Sequence, residues 1–169
     1  MNPFEKNISS IYQSRGKARL ADLPKKVEQI GELWELDQLQ PFENLSYNYV
    51  LEGYQKGKPI VLKLSLDELS LSKEAKALEA FADYGAVAVL GHTNDALLLQ
   101  RAVPGRLLKN HFPKGNRNAI QIACDVAKRL HQAPLPKELH FPHVKELLET
   151  LDKEWDISQF HLQKARAST

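Results

Sequence analysis

Residues 59–74 read PIVLKLSLDELSLSKE and change from the pattern of a strand to that of a helix. Because side chains alternate along a strand, Val61 and Lys63 share one face of this segment. The opposite face carries only apolar residues, which are Ile60, Leu62 and Leu64. A lysine within such a run is costly to bury unless another group accepts its charge. The pattern therefore predicts a strand whose Lys63 has an acidic partner.

A glutamate on the following helix is the candidate partner. If residues 71–82 are helical, Glu74, Leu78 and Phe81 fall on one face at the spacing i, i+4 and i+7. Glu74 is then the carboxylate on the apolar side of the helix. The predicted solvent side carries Lys73, Lys76, Glu79 and Asp83. We expect Lys63 and Glu74 to form an ion pair.

Two interpretations of this pair are open from these residues. A strand lysine paired with a glutamate on the next helix resembles the arrangement with which kinases hold nucleotide phosphates. The alternative is a lysine that protects an edge strand or extends along apolar surface, with at most a surface ion pair. The rest of the chain has to distinguish the two.

Composition limits the class of protein. The 169 residues are 43% hydrophobic and 26% charged, as in an ordinary globular protein. The net charge of +2 comes without basic runs, so nucleic acid is not an expected partner. The single cysteine, Cys124, fits a reducing compartment. No apolar signal segment or window of about 20 apolar residues is present, so we expect a cytoplasmic protein without a membrane partner.

The order of the elements predicts an α+β fold. A short helix over residues 4–14 and a second between Asp22 and Trp34 precede the strands. Beside the Lys63 strand, alternating and β-branched residues predict strands at 36–42, 47–54, 86–90 and 96–100. Short turns between them favour an antiparallel sheet of five strands with one inserted helix. The expected domains are a helical lead-in, a sheet lobe and a partial helical lobe, at 1–35, 36–103 and 104–169.

Only helices are expected after Gly105. Residues 118–131 predict a helix with Ile120, Cys124 and Ala127 on its core face. A second apolar stripe follows at Val144, Leu147, Leu148, Leu151 and Trp155. Because large apolar patches seldom stay exposed on a monomer, we expect self-association through residues after 140.

Several strings together resemble one family, the aminoglycoside and hydroxyurea phosphotransferases, which include streptomycin 6-kinases. The strings are ARLADLPKKVEQIGELWEL, PIVLKL, KEAKALEAF, ALLLQRAVPG and IACDVAKRLHQAPLP. They resemble, in order, the helical lead-in, the lysine strand, the glutamate helix, the hinge and the first helix of the C-lobe. The resemblance covers roughly residues 18–136 and implies a protein-kinase-like N-lobe.

The resemblance also implies roles for individual residues. Lys63 would contact the phosphates of ATP, and Glu74 would orient it. Gln100 to Val103 would form the hinge, where the Arg101 carbonyl and the Val103 N–H face adenine. Residues 44–48 occupy the phosphate-loop position without a glycine, and Ser46 would hold a phosphate there. Complete relatives would use Mg²⁺ and an antibiotic as the phosphoryl acceptor.

The sequence departs from the family in its last third. The family carries a loop similar to His-Gly-Asp-x-x-x-x-Asn, then a metal-binding Asp, and no such string occurs among the six histidines of this chain. We therefore expect a truncated small-molecule kinase with no catalytic residues and no metal site of its own. The alternatives are a non-catalytic, pseudokinase-like binding module and a half-enzyme completed by a second chain.

Overall fold

Five antiparallel strands form one sheet in the computed structural model, in the order β1-β2-β3-β5-β4. The structure describes residues 3–43, 45, 47–111, 115–134 and 145–146. The strands are β1 (Leu36–Pro41), β2 (Tyr49–Gln55), β3 (Lys58–Leu64), β4 (Val89–His92) and β5 (Ala96–Gln100). The predicted number and antiparallel sense of the strands are confirmed, and so is the helix inserted after the third strand. β4 begins three residues later than the sequence predicted, and residues 86–88 are not in a strand.

The two faces of the sheet have different coverings. In β3, Ile60, Leu62 and Leu64 are buried, whereas Val61 and Lys63 are half-buried. The buried residues join one hydrophobic cluster with Leu51, Ala96, Leu98 and Ile30. The predicted alternation along β3 is therefore correct, and it leaves Lys63 on the less covered face.

A long helical segment, α1 (Pro3–Leu33), supplies Ile30 to this cluster and is kinked at Gln13. Leu23 and Val27 pack against the same cluster. The predicted helix start at Asp22 is wrong, because the helix continues on the N-terminal side of Pro24. The apolar stripe that packs on the sheet spans this proline, and its burial outweighs the single backbone hydrogen bond that a proline removes.

Helix α2 (Glu68–Ala80) packs on the other face of the sheet. Leu71 and Ala75 are buried with Leu97 of β5 in a second cluster. In the structure, Glu68 begins the helix and Ala80 ends it, so Asp83 lies just beyond its C-terminal end. The four charged residues predicted on the solvent side, Lys73, Lys76, Glu79 and Asp83, are all exposed, so this prediction is confirmed.

A bulge in β1 brings the chain unusually close to β2. The pairing of β1 with β2 shifts register between Asp37 and Gln40. A Cβ on Gly53 would lie 2.8 Å from Leu39 Cδ2 and 2.9 Å from the Asp37 carbonyl oxygen. A glycine inside a strand often marks such a close approach of backbone. Gly53 is therefore required by the packing of the bulge.

Helix α3 (Asn116–Leu130) exposes the face that the sequence predicted to be buried. Ile120 is 58% exposed, and Cys124 and Ala127 are exposed as well. Ala119 is buried instead, on the side that also carries the half-buried Val126 and Leu130. Both sets have helical spacing, so periodicity alone does not decide which set packs.

Contacts divide the chain into two units, residues 1–134 and 135–169. The second unit holds the apolar stripe from Val144 to Trp155, which lies outside the described residues. The expected self-association through that stripe therefore has no support here. No helix in the described ranges combines the length and apolar character needed to cross a membrane.

Candidate functional site

Lys63 and Glu74 form the predicted ion pair. Lys63 Nζ donates a hydrogen bond to Glu74 Oε2 at 2.5 Å. The Lys63 side chain is 20% exposed and that of Glu74 is 35% exposed, so the pair is partly shielded from water. Charge-assisted hydrogen bonds of this kind are stronger than those between neutral groups. The cation is held on the face of β3 that α2 leaves partly open.

The path from β3 to α2 explains why the two side chains meet. Asp67 caps α2, since its Oδ1 accepts a hydrogen bond from the Ser70 N–H at 2.9 Å. The buried Leu71 and Ala75 then fix the rotation of the helix against the sheet. Glu74 lies one residue before Ala75, beside this contact. Cap and packing together direct its carboxylate towards Lys63.

A groove lies beside this pair, on the same face of the sheet. It is lined by Phe42, Leu45, Asn48, Val50, Val61, Lys63 and Leu99, and we name it the Lys63 groove. Its volume is about 470 Å³. Ligand pockets usually occupy roughly 300–1,000 Å³ with apolar walls and few polar groups. The groove has this character, with Lys63 as its cationic group.

The loop between β1 and β2 contributes to the same groove. Leu45 and Asn48 of this loop line it, together with Lys63. Residues 44–48 were predicted at the phosphate-loop position, and that role stays a prediction. Ser46, the residue predicted to hold a phosphate, lies outside the described residues.

The three predicted hinge residues lie together but apart from Lys63. Gln100, Arg101 and Val103 line a second groove at the end of β5, not the Lys63 groove. The Gln100 N–H donates to the Ala88 carbonyl at 2.9 Å, and the Arg101 N–H donates to the Pro59 carbonyl at 3.2 Å. Val103 is 72% exposed, and its N–H makes no backbone hydrogen bond to a described residue.

An ion pair that the sequence did not predict spans β3 near the predicted hinge residues. Arg101 Nη2 lies 2.6 Å from Glu52 Oε2, and each side chain is about one-third exposed. Glu52 is the β2 partner of Val61, so its side chain is on the same sheet face as Lys63. The sequence does contain a signal for this pair. Glu52 follows Val50 by two residues, so both side chains lie on the strand face that borders the Lys63 groove.

A buried carboxylate was also missed. Asp95 is 8% exposed, and its Oδ2 lies 2.5 Å from Arg19 Nη2 and 2.9 Å from Lys26 Nζ. Burial alone raises the pKa of Asp95, but Lys26, the Thr93 hydroxyl and Arg19 together lower it below the ordinary value of 3.8. The helix predicted from Asp22 left Arg19 outside it, so the contact with Asp95 was not predicted.

Acidic, histidine and cysteine side chains do not gather into a metal site within the described ranges, where no group of three or more occurs. The Lys63 groove instead combines the paired Lys63 and the polar Asn48 with apolar walls. Such a set can bind a negatively charged ligand that carries an apolar or aromatic part.

Comparison with known families identifies the family of the chain. A family model described as aminoglycoside/hydroxyurea antibiotic resistance kinase matches residues 34–156. The match covers the whole sheet, α2 and α3. The chain belongs to this family. No curated protein matches the chain.

Proposed function

We propose that this resistance-kinase family member binds ATP in the Lys63 groove and supplies the nucleotide side of a small-molecule phosphotransferase. The ion pair between Lys63 and Glu74 is the observation that carries the proposal. The pair presents an ammonium group to a groove of ligand size, held by a carboxylate that restrains its long side chain. In the complete reaction, the γ-phosphoryl group passes to an alcohol on an antibiotic.

Lys63 interacts with the phosphates, and Glu74 keeps the ammonium group in position between binding events. Val50, Val61 and Leu99 offer apolar surface for the base or ribose. The residues present therefore fit the triphosphate and part of the nucleoside. Ser46 remains a proposed phosphate contact, because its loop neighbours Leu45 and Asn48 line this groove.

The hinge role of residues 100–103 is proposed on backbone chemistry. The N–H groups of Gln100 and Arg101 already bind Ala88 and Pro59. The exposed Val103 N–H and the Arg101 carbonyl are the groups we assign to adenine. Leu97 is the β5 neighbour of Lys63, and four residues of strand, about 13 Å, separate it from Arg101. An extended nucleoside triphosphate can link these two ends.

Phosphoryl transfer needs further groups. In kinases, Mg²⁺ neutralises charge on the phosphates, and an aspartate accepts the proton of the attacking hydroxyl. The 169-residue sequence has no His-Gly-Asp-x-x-x-x-Asn string to supply that aspartate and the metal ligands. We therefore propose that this chain binds nucleotide but does not by itself catalyse transfer. The free thiol of Cys124 is compatible with action in the reducing cytoplasm.

The test is a titration with ATP, followed by NMR because the affinity should be low. With only the nucleotide-side contacts, we expect a Kd of about 1 mM, or about 4 kcal/mol. Lys63→Met should weaken binding at least about tenfold. Lys76→Met, which removes an exposed lysine from α2, is the matched control and should bind as the wild type does.

Two results would overturn the proposal. One is the absence of any ATP-dependent shift at residues of the Lys63 groove in a folded wild-type chain. The other is equal binding by the Lys63→Met and Lys76→Met variants. The first result would favour a binding module for another ligand, which is the alternative that the missing catalytic string suggests.

A further inference from the structure

Asp95 lies in the turn between β4 and β5 and joins this turn to α1. Its carboxylate contacts three side chains, two on α1 and one in the turn. These are Arg19 and Lys26 on α1, at 2.5 and 2.9 Å, and Thr93 in the turn itself, at 3.1 Å. Arg19 and Lys26 are seven residues apart, so both lie on one face of the helix. Asp95 therefore links α1 to the β4–β5 turn through two ion pairs.

The same residue holds the chain between Lys63 and α2. The Asp95 carbonyl accepts a hydrogen bond from the Ser65 N–H at 3.1 Å. Ser65 Oγ accepts the Asp67 N–H at 3.1 Å, and Asp67 in turn caps α2. Lys63 precedes Ser65 by two residues, and Glu74 lies in the helix that Asp67 caps. Residues 65–67 thus connect the strand of Lys63 to the helix of Glu74. The hydrogen bond from Ser65 to the Asp95 carbonyl fixes the start of this connection.

We propose that Asp95 is a positioning residue for the Lys63–Glu74 pair. Its side chain is fixed by the two cations of α1, and its main-chain carbonyl fixes the start of the connection between β3 and α2. The connection sets where α2 begins, and with it the distance at which Glu74 meets Lys63. That the pair then serves ATP rests on the proposed function above.

Removal of the Asp95 carboxylate should act through the two cations of α1. Arg19 and Lys26 both approach Asp95 Oδ2, and their side chains are only 36% and 27% exposed. With asparagine at position 95, two like charges face each other without a counter-charge. Their repulsion should move α1 away from the turn, loosen the bond between Ser65 and Asp95, and let Glu74 separate from Lys63 more often.

The experiment measures the pair directly, without nucleotide. An acylating reagent reacts with an accessible lysine amine, and an ion pair restricts access to the amine that it holds. Mass spectrometry gives the modification rate of Lys63, with Lys73 and Lys76 of α2 as internal references. We expect Asp95→Asn to raise the Lys63 rate at least about threefold, towards that of Glu74→Gln. Asp83→Asn, an exposed acid in the same lobe, should leave the rate unchanged.

A double variant separates positioning from general loosening. If Asp95 acts through Glu74, Asp95→Asn should add nothing to the Lys63 rate when Glu74→Gln is already present. Equal increases in both backgrounds, or an unchanged Lys63 rate in Asp95→Asn alone, would overturn the proposal. If Asp95→Asn does not fold, Lys26→Gln makes a milder test, because it removes one of the two cations that fix the Asp95 side chain and keeps the bond to Arg19. It should raise the Lys63 rate by a smaller factor, and an unchanged rate would overturn the proposal. If the wild-type chain does not bind ATP, the proposed function is wrong. The acylation rates still decide whether Asp95 positions the Lys63–Glu74 pair, because they are measured without nucleotide.

Discussion

Lys63 and Glu74 are eleven residues apart in the chain, and their charged ends are 2.5 Å apart. Neither an isolated strand nor an isolated helix brings them together. The strand phase places Lys63 on the face against which α2 packs, and the rotation of α2 places Glu74 on the side that meets it. The ion pair thus depends on the alternation of side chains in β3, on the helical spacing in α2 and on the Asp67 cap that starts α2.

Replacing Glu74 tests the proposed role of this pair in binding. Glu74→Gln keeps the shape of the side chain and removes the charge that restrains Lys63. A partly exposed ion pair contributes about 1 kcal/mol, so ATP affinity should fall by roughly fivefold. Glu79→Gln is the matched control on the side of α2 that faces away from Lys63. Equal ATP affinities of the two variants in the NMR titration would remove Glu74 from the proposed site.

Activity provides a separate prediction. The purified 169-residue chain should not transfer phosphate from ATP to streptomycin or hydroxyurea, because its sequence lacks the aspartate base and metal ligands of the family. Product would be followed by mass spectrometry over long incubation with Mg²⁺. Turnover that disappears in Lys63→Met would show that other residues of this chain supply the base.

The features that the sequence predicted depend on local pattern. Alternation in β3 and the spacing of Glu74 and Leu78 predicted both partners of the ion pair, because each pattern is decided within a few residues. The burial of Asp95 depends on Arg19, which is 76 residues away in the chain. No local period marks such a contact. The exposed face of α3 was missed for a related reason, since two apolar stripes satisfied the same period.

Gly53 tests how closely the bulge of β1 packs on β2. In Gly53→Ala, the new methyl group would meet Leu39 Cδ2 at 2.8 Å and the Asp37 carbonyl oxygen at 2.9 Å. A side chain can move away, but the backbone oxygen is held by the strand. We expect a loss of about 1–3 kcal/mol in the free energy of unfolding by urea. Gly57→Ala, in the β2–β3 turn, has open space around the new methyl but a positive φ of 75°, so it isolates the cost of backbone conformation.

The cap of α2 makes a further prediction. Asp67→Ala removes the acceptor of the Ser70 N–H and should lower the free energy of unfolding by about 1 kcal/mol. Asp83→Ala, an exposed residue beyond the C-terminal end of α2, should change stability little. A result with both variants equally stable in urea would mean that packing of Leu71 and Ala75 alone starts the helix.

The last prediction concerns stability in acid. The pKa of Asp95 is lowered in the folded protein, because Lys26, Thr93 and Arg19 outweigh the effect of burial. In the unfolded chain an aspartate has a pKa of about 3.9. A group with a depressed folded pKa stabilises the fold fully above the unfolded pKa, and this contribution is lost as pH falls through the folded pKa. Asp95 should therefore stabilise the protein at neutral pH and cease to do so in strong acid.

Urea unfolding of the wild type and Asp95→Asn, from about pH 7 to about pH 2.5, measures this contribution. Near neutral pH the variant should be less stable by about 2 kcal/mol, since it leaves Arg19 and Lys26 without their carboxylate. The two stability curves should begin to converge below about pH 4, where the aspartate of the unfolded chain starts to take up a proton. They should meet only below the lowered pKa of Asp95 in the folded protein. Asp83→Asn should follow the wild type throughout. A difference in stability between wild type and Asp95→Asn that stays constant at every pH would contradict this. It would mean that the packing of the Asp95 side chain, and not its charge, holds α1 against the β4–β5 turn.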